Sequence, residues 1–211
     1  MTIIYNEIYQ KFKNKGIIMR DIKNKNILIV SHCILNGHSK VESFCEKKER
    51  EEARKKIVKF IIENDIGIIQ LPCPELIMYG TRRWGHVKDQ FDTPHFREVC
   101  RNEFKTYLQQ IKEYINNGYK ILGILGIDGS PSCGVDLTCK GQWGGEIGSN
   151  PNLLETIKGI SYEKEKGILM EEIEDILKEN NIKIEMFGFS LQNADSICKR
   201  IERFIYQVNV E

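Results

Sequence analysis

Apolar residues along this chain occur in two patterns, short unbroken runs and longer stretches at helical spacing. Ile27-Leu28-Ile29-Val30, Gly67-Ile68-Ile69-Gln70-Leu71 and the run 120–126 are brief, β-branched and nearly free of charge. That is the mark of strands buried on both faces. Between them the spacing predicts a helix over 46–64, with Ala53, Ile57, Phe60 and Ile61 on one stripe. A second helix is predicted from Pro94 to about 117, with Phe104, Leu108, Ile111 and Ile115 in register. Thr93-Pro94 supplies its N-cap and first-turn proline, and Gly118 its C-terminal stop. Further elements are expected at 168–180 (helix), 183–187 (fourth strand) and 193–207 (helix). Residues 76–92 and the glycine-rich stretch to about 152 read as loops.

The resulting order, strand and helix in strict alternation, predicts an α/β fold with a mostly parallel sheet and helices on both faces. In such folds the functional crevice lies at the carboxyl ends of the strands. The chain divides into an N-terminal extension, 1–25, with one short helix, and a single α/β domain, 26–211. Met19 would serve as an alternative start, because the first core element follows it.

Composition narrows the function classes. The 211 residues are 41% hydrophobic and 29% charged, which suits a folded domain rather than disorder. Lysine plus arginine (31) nearly balances aspartate plus glutamate (30), for a net charge of +1. A broad basic field for nucleic acid is therefore not expected. Lys11, Lys13, Lys15, Lys23 and Lys25 form a local patch that keeps a tRNA-acting enzyme as a weaker alternative. The longest nearly charge-free run, 121–127, is far short of the roughly 20 residues of a spanning helix. No secretory signal is legible in residues 1–20, so a reducing cytoplasm is the expected compartment.

Seven cysteines, at 33, 45, 73, 100, 133, 139 and 198, are the unusual feature. Cys33, Cys73 and Cys133 share one structural address, just past the ends of the first three predicted strands. Parallel strands bring those ends to one edge of the sheet, so thiols distant in sequence can meet. Each of these cysteines would, alone, pass for a small buried apolar residue. At three equivalent places, with prolines or glycine flanking two of them, a ligand site is the better reading. Two chemistries suit it. One is zinc with a fourth ligand such as His32, His38 or Cys139. The other is an iron–sulfur cluster held by three thiolates, with one iron open. Paired C-x-x-C spacing, which many structural zinc sites use, is absent.

Cys33-Ile34-Leu35, Cys73-Pro74-Glu75 and Ser130-Pro131-Ser132-Cys133-Gly134 resemble, in order and setting, the three cysteine motifs of the thiouracil desulfidase (TudS) family. The likeness covers about residues 26–190, and the SPSCG segment is its most specific part. It implies a [4Fe-4S] cluster on Cys33, Cys73 and Cys133, whose open iron takes the sulfur of a thiolated nucleobase. Water replaces that sulfur on carbon without net redox change. The chain departs from the family after each of the first two motifs, at Asn36-Gly37-His38-Ser39 and at 78–83. Those segments belong to the expected substrate pocket, which leaves the substrate unassigned and puts Asn36, Arg82 and Arg83 forward as substrate-binding residues; Ser130 joins them as a hydroxyl able to bond a substrate carbonyl or a cluster sulfur, with local turn bonding as its plainer role.

Glu75 and Ser132 are the candidate catalytic residues. A carboxyl two positions after Cys73 can move a proton to or from water or departing sulfide. The plainer alternative for Glu75 is a loop carboxylate paired with Arg82. Adjacent side chains point apart, so at most one of Arg82 and Arg83 is expected to face the site. Tyr79, Trp84 and Trp143 are candidates for stacking on a base, with loop packing as the plainer role. Asp128 reads as a turn starter before Gly129. The segment 141–148 matches no phosphate-binding fingerprint and reads as a wall or lid of the pocket. Cys45, Cys100 and Cys198 read as structural thiols, and Cys139 as a candidate fourth ligand or sulfur relay. The leading expectation is thus an oxygen-sensitive desulfidase for a small thiolated compound. Its rival is a non-catalytic metal-binding protein with a structural zinc or cluster site.

Overall fold

In the computed structural model residues 25–42 and 47–206 are described. Most of the expected extension, including its short helix and four of its five lysines, lies outside the described residues, as does Cys45. In chain order the elements are β1 (Asn26–Val30), α1 (His32–Leu35), α2 (Lys47–Glu63), β2 (Gly67–Gln70), α3 (Pro74–Tyr79), α4 (Lys88–Phe91) and α5 (Pro94–Asn116). They continue with β3 (Lys120–Ile127), β4 (Thr138–Lys140), α6 (Leu153–Lys158), β5 (Ser161–Glu163), α7 (Ile168–Glu179), β6 (Met186–Phe189) and α8 (Ala194–Tyr206).

β2, β1, β3 and β6 form one parallel sheet in that order, with helices on both faces. The pleat of β1 shows how the unbroken apolar runs are used. Ile27 and Ile29 face a core filled by Phe96, Cys100, Phe104 and Ile111 of α5 and by Ile168, Met170 and Ile173 of α7. Leu28 and Val30 face the other core, with Ile57 and Ile61 of α2 and Ile197 and Ile201 of α8. Both sides of β1 are thus removed from water, which is why its apolar run does not alternate with polar residues, whereas the edge strand β2 is only partly buried. The α5–α7 side is also tied by charge, with Arg97 bonded to Glu171 at 2.8 Å and Glu172 at 2.7 Å, and Arg101 to Glu172 at 3.0 Å. Among the described residues, no helix is long and apolar enough to cross a membrane.

Three expectations change. The fourth strand runs Met186–Phe189 rather than 183–187. Gly188 lies inside this strand, where the Asp128 carboxylate fills the space a Cβ would take. The stretch 76–92 is not all loop: α3 and α4 lie in or across it. The glycine-rich segment is bracketed by two short strands, with β4 before it antiparallel to β5 after it. Such three-residue strands are too short to leave a period in the sequence.

Candidate active site at the carboxyl edge of the sheet

Each of the three sheet-edge cysteines is held by a different local device. Cys33 lies in the first turn of α1, directly after β1. Cys73 is the N-cap of α3, where Pro74 opens the helix and the Cys73 carbonyl accepts from the Ile77 amide at 3.0 Å. Cys133 sits in the loop after β3, whose geometry is dictated from both ends. The Asp128 carboxylate accepts the amides of Val135, Asp136 and Leu137 at 3.2, 2.9 and 3.3 Å. On the other side, the loop carbonyls of Pro131 and Ser132 accept the amides of Ile168 and Leu169 at 3.0 Å each. These are N–H groups that the start of α7 would otherwise leave unpaired. Asp128 is therefore a loop clamp, in keeping with the turn reading rather than with an acid.

The three thiols line one cavity of about 790 Å³, together with Glu75, Arg83, His86, Ser130 and Cys139. All are free cysteines. Burial pushes the Cys33 thiol up to about 11, with the charge of Lys40 acting the other way and those of Cys73 and Glu75 adding to the rise. Cys73 is raised by burial and then by Glu75. Cys133 is raised well above the usual thiol range, first by burial and then by Cys33 and Cys73. Each thiol of the trio thus takes part in an electrostatic coupling with another, as groups facing one space must.

Glu75 is the buried carboxylate of this cavity, which Glu42 and Asp128 also line, and it is fixed on both oxygens. Arg83 Nε donates to Oε2 at 3.2 Å, with the two side chains only 3% and 10% exposed. Ser132 Oγ donates to Oε1 at 2.5 Å and lies 3.5 Å from the Cys133 sulfur. Ser130 Oγ is 3.5 Å from the same oxygen and 3.3 Å from Ser132 Oγ, and it accepts the Cys133 amide at 3.0 Å. Arg83 is itself held by the carbonyls of Ser39 at 2.7 Å and Gly80 at 3.0 Å. A buried carboxylate with a guanidinium and a hydroxyl on its two oxygens has one orientation available to it.

Cys33, Cys73, Cys133, Glu75, Ser130, Ser132 and Arg83 are therefore brought together. Asn36 and Arg82 are not. Asn36 is exposed, and its side chain accepts the His38 amide and caps a short turn. Arg82 is exposed, and Arg83, not Arg82, pairs with Glu75. Neither His32 nor His38 lines the cavity, whereas Cys139 does. Its thiol donates to the His86 carbonyl at 3.4 Å, and burial pushes it up to about 11. The stacking candidates also lie elsewhere. Trp84 is 71% exposed, and Trp143 donates to the Gly85 carbonyl at 2.9 Å outside the cavity. Tyr79 packs against His86, ring centroids 4.8 Å apart. Cys100 is a core residue, and Cys198 lies half-buried on α8.

Among the cavity residues that escaped the sequence, two are aromatic and sit beside Cys139. His86 packs against both Tyr79 and Phe91, ring centroids 4.8 Å from each, and burial lowers its pKa. Tyr162 lies on β5, directly across from Cys139. No motif surrounds either residue.

The donor set is soft and threefold, and of the carboxylates lining the same cavity Glu75 is engaged by Arg83 and Ser132 and Asp128 by the amides of 135–137, while Glu42 is exposed. Three free thiols lining one cavity are ligands that suit either an iron–sulfur cluster or a thiolate-bound metal ion.

No family model and no solved structure matches this chain. A protein of Methanocaldococcus jannaschii named "Uncharacterized protein MJ0003" is 31% identical over 186 residues, which cover 87% of this chain and 99% of that protein.

Proposed function

The chain belongs to the family of uncharacterized protein MJ0003, and for it we propose iron–sulfur-dependent, non-redox desulfuration of a small thiocarbonyl compound, a thiolated nucleobase or a related molecule. The observation that carries this reading is a single cavity holding three free cysteines from three strand ends beside one oriented, buried carboxylate. A [4Fe-4S] cluster on Cys33, Cys73 and Cys133 would supply an open, thiophilic iron as a Lewis acid for the thione sulfur.

The chain's own residues account for the rest. The net change converts a thione and water into the corresponding carbonyl compound and hydrogen sulfide. The carbon–sulfur double bond is replaced by a carbon–oxygen one, so no electrons are exchanged and only protons need carriers. Glu75 takes a proton from the attacking water and returns one to the departing sulfur. Arg83 and Ser132 keep the Glu75 carboxylate turned toward the cavity. Ser130 offers its hydroxyl to the substrate or to the Glu75–Ser132 pair. The thiols and the proposed sensitivity to oxygen suit a reducing cytoplasm.

The test is anaerobic reconstitution with iron and sulfide, followed by metal and acid-labile sulfide counts and a screen of thiones for sulfide release. About four irons per chain, lost in Cys133→Ala, together with sulfide release, is the expected result. A chain that takes up zinc, or no metal, would instead favour the structural metal-binding reading.

A further inference from the structure

Resting on that reading, we infer that Tyr162 is a specificity-determining residue, the stacking platform that selects flat heteroaromatic thiones over acyclic thioamides and thioureas. The argument begins with strand geometry. Directly opposed residues of an antiparallel pair present their side chains to the same face. β4 and β5 pair Cys139 with Tyr162, and both line the cavity, while their neighbour Thr138 turns away to donate to the Ser130 carbonyl at 3.0 Å. A three-residue strand pair thus aims one thiol and one phenol ring at the space that holds Cys33, Cys73 and Cys133.

The ring is placed but not covered. Tyr162 is 69% exposed, whereas Phe189, which shares the cavity, is 3% exposed and belongs to the core. On one side the Tyr162 ring rests on the bare backbone of Gly129, where a Cβ would stand 3.0 Å from the ring. Gly129 also has φ 83°, so glycine is required there twice over. A ring held from one side with a free face is what a planar π-system needs in order to stack. The aromatic residues that sequence alone suggested do not offer this. Trp84 and Trp143 are outside the cavity and Tyr79 is engaged with His86.

An acyclic thioamide presents no comparable ring face, so stacking discriminates by substrate shape and not by the reacting group. The decisive experiment measures binding of two sulfur-free probes, planar uracil and acyclic urea, to the reconstituted full chain by calorimetry, in wild type, Tyr162→Leu and Tyr162→Phe. We expect uracil to bind more tightly than urea in wild type. Tyr162→Leu should lose about tenfold in uracil affinity, within the range for base–aromatic stacking. Tyr162→Phe should bind as wild type, and urea should not distinguish the three. Equal uracil affinity in Tyr162→Leu, or no preference for uracil in wild type, would overturn the assignment. The two readings fail separately. Uracil binding that depends on Tyr162, without sulfide release from 2-thiouracil, would retire the desulfidase and keep the platform. Sulfide release with an unchanged KM in Tyr162→Leu would do the reverse.

Discussion

The two walls of the cavity are built in opposite ways. The sheet-edge wall carries Cys33, Cys73, Cys133 and Glu75 on short segments anchored to β1, β2 and β3, with Glu75 tied to Arg83 and Ser132 and the loop after β3 tied to Asp128 and the start of α7. The hairpin wall carries Cys139 and Tyr162 on three-residue strands, and every residue of β5 is exposed. The first wall can hold reacting groups to one geometry, as proton transfer and metal ligation require. The second has few buried contacts of its own, which suits a surface that adapts to the outline of a ligand. The contrast teaches that chemistry and selectivity can be assigned to different parts of one pocket, so variants should separate them.

The sharpest separation is expected from Glu75→Gln. The amide keeps the shape of the side chain but cannot take a proton, so sulfide release should fall by about 10²- to 10⁴-fold. Iron content should stay at the wild-type level, because Glu75 is not among the proposed ligands. Loss of iron in this variant would show that the carboxylate supports the metal and not the proton transfer.

Arg83→Met tests whether the rigid wall depends on its buried ion pair. It leaves Glu75 without its guanidinium and frees the Ser39 and Gly80 carbonyls. Removing one partner of such a pair costs about 3–5 kcal/mol, which denaturant unfolding would read. Arg82→Met, at an exposed position, should change stability by no more than about 0.5 kcal/mol.

The buried thiols add a pH dependence to the metal-free protein. Cys33 keeps its proton to about 11 in the folded chain, while an unfolded thiol ionises near its ordinary value. Between those limits the unfolded chain binds fewer protons, so stability is fully present below about pH 9 and is lost as pH rises through about 11. For Cys33 alone the loss by about pH 10.5 is on the order of 2 kcal/mol, visible in thermal melts, and Cys133 acts in the same direction. Metal loading, which needs thiolates, should accelerate over the same rise in pH.

A pair of glycine variants makes the smallest and most local comparison. A Cβ on Gly167 would stand 2.5 Å from the Ser132 carbonyl carbon, so Gly167→Ala should displace the 130–134 loop and cost about 1–3 kcal/mol along with iron retention. Gly145, in the segment leading from β4 to α6, has φ 83° but open space around it. Gly145→Ala should cost about 1 kcal/mol for its backbone conformation alone and leave iron content unchanged.

The two walls also differ in how far they could be read in advance. The sheet-edge wall was legible because its signals are local. Unbroken β-branched runs specify strands buried on both faces, and Cys33, Cys73 and Cys133 follow the first three of them. Parallel pairing then carries them to one edge. Glu75 came with Cys73 by proximity in the chain. Its partner did not, because an adjacent pair such as Arg82 and Arg83 gives no sign of which side chain turns inward until α3 ends at Gly80. Asn36 was misplaced for a related reason: its side chain satisfies a backbone amide two residues away, and a sequence cannot weigh that local bond against a distant pocket.

The α/β class, the parallel sheet and the common edge of Cys33, Cys73 and Cys133 thus follow from hydrophobic periodicity, which depends on short stretches of chain and is set before any long-range contact forms. The seating of Arg83 on Glu75, the stacking of His86 and the turn of Tyr162 toward the cysteines come from contacts between residues far apart in the chain. Those contacts arise when buried polar groups must find partners and short strands must find neighbours, and both conditions exist only once the core has closed.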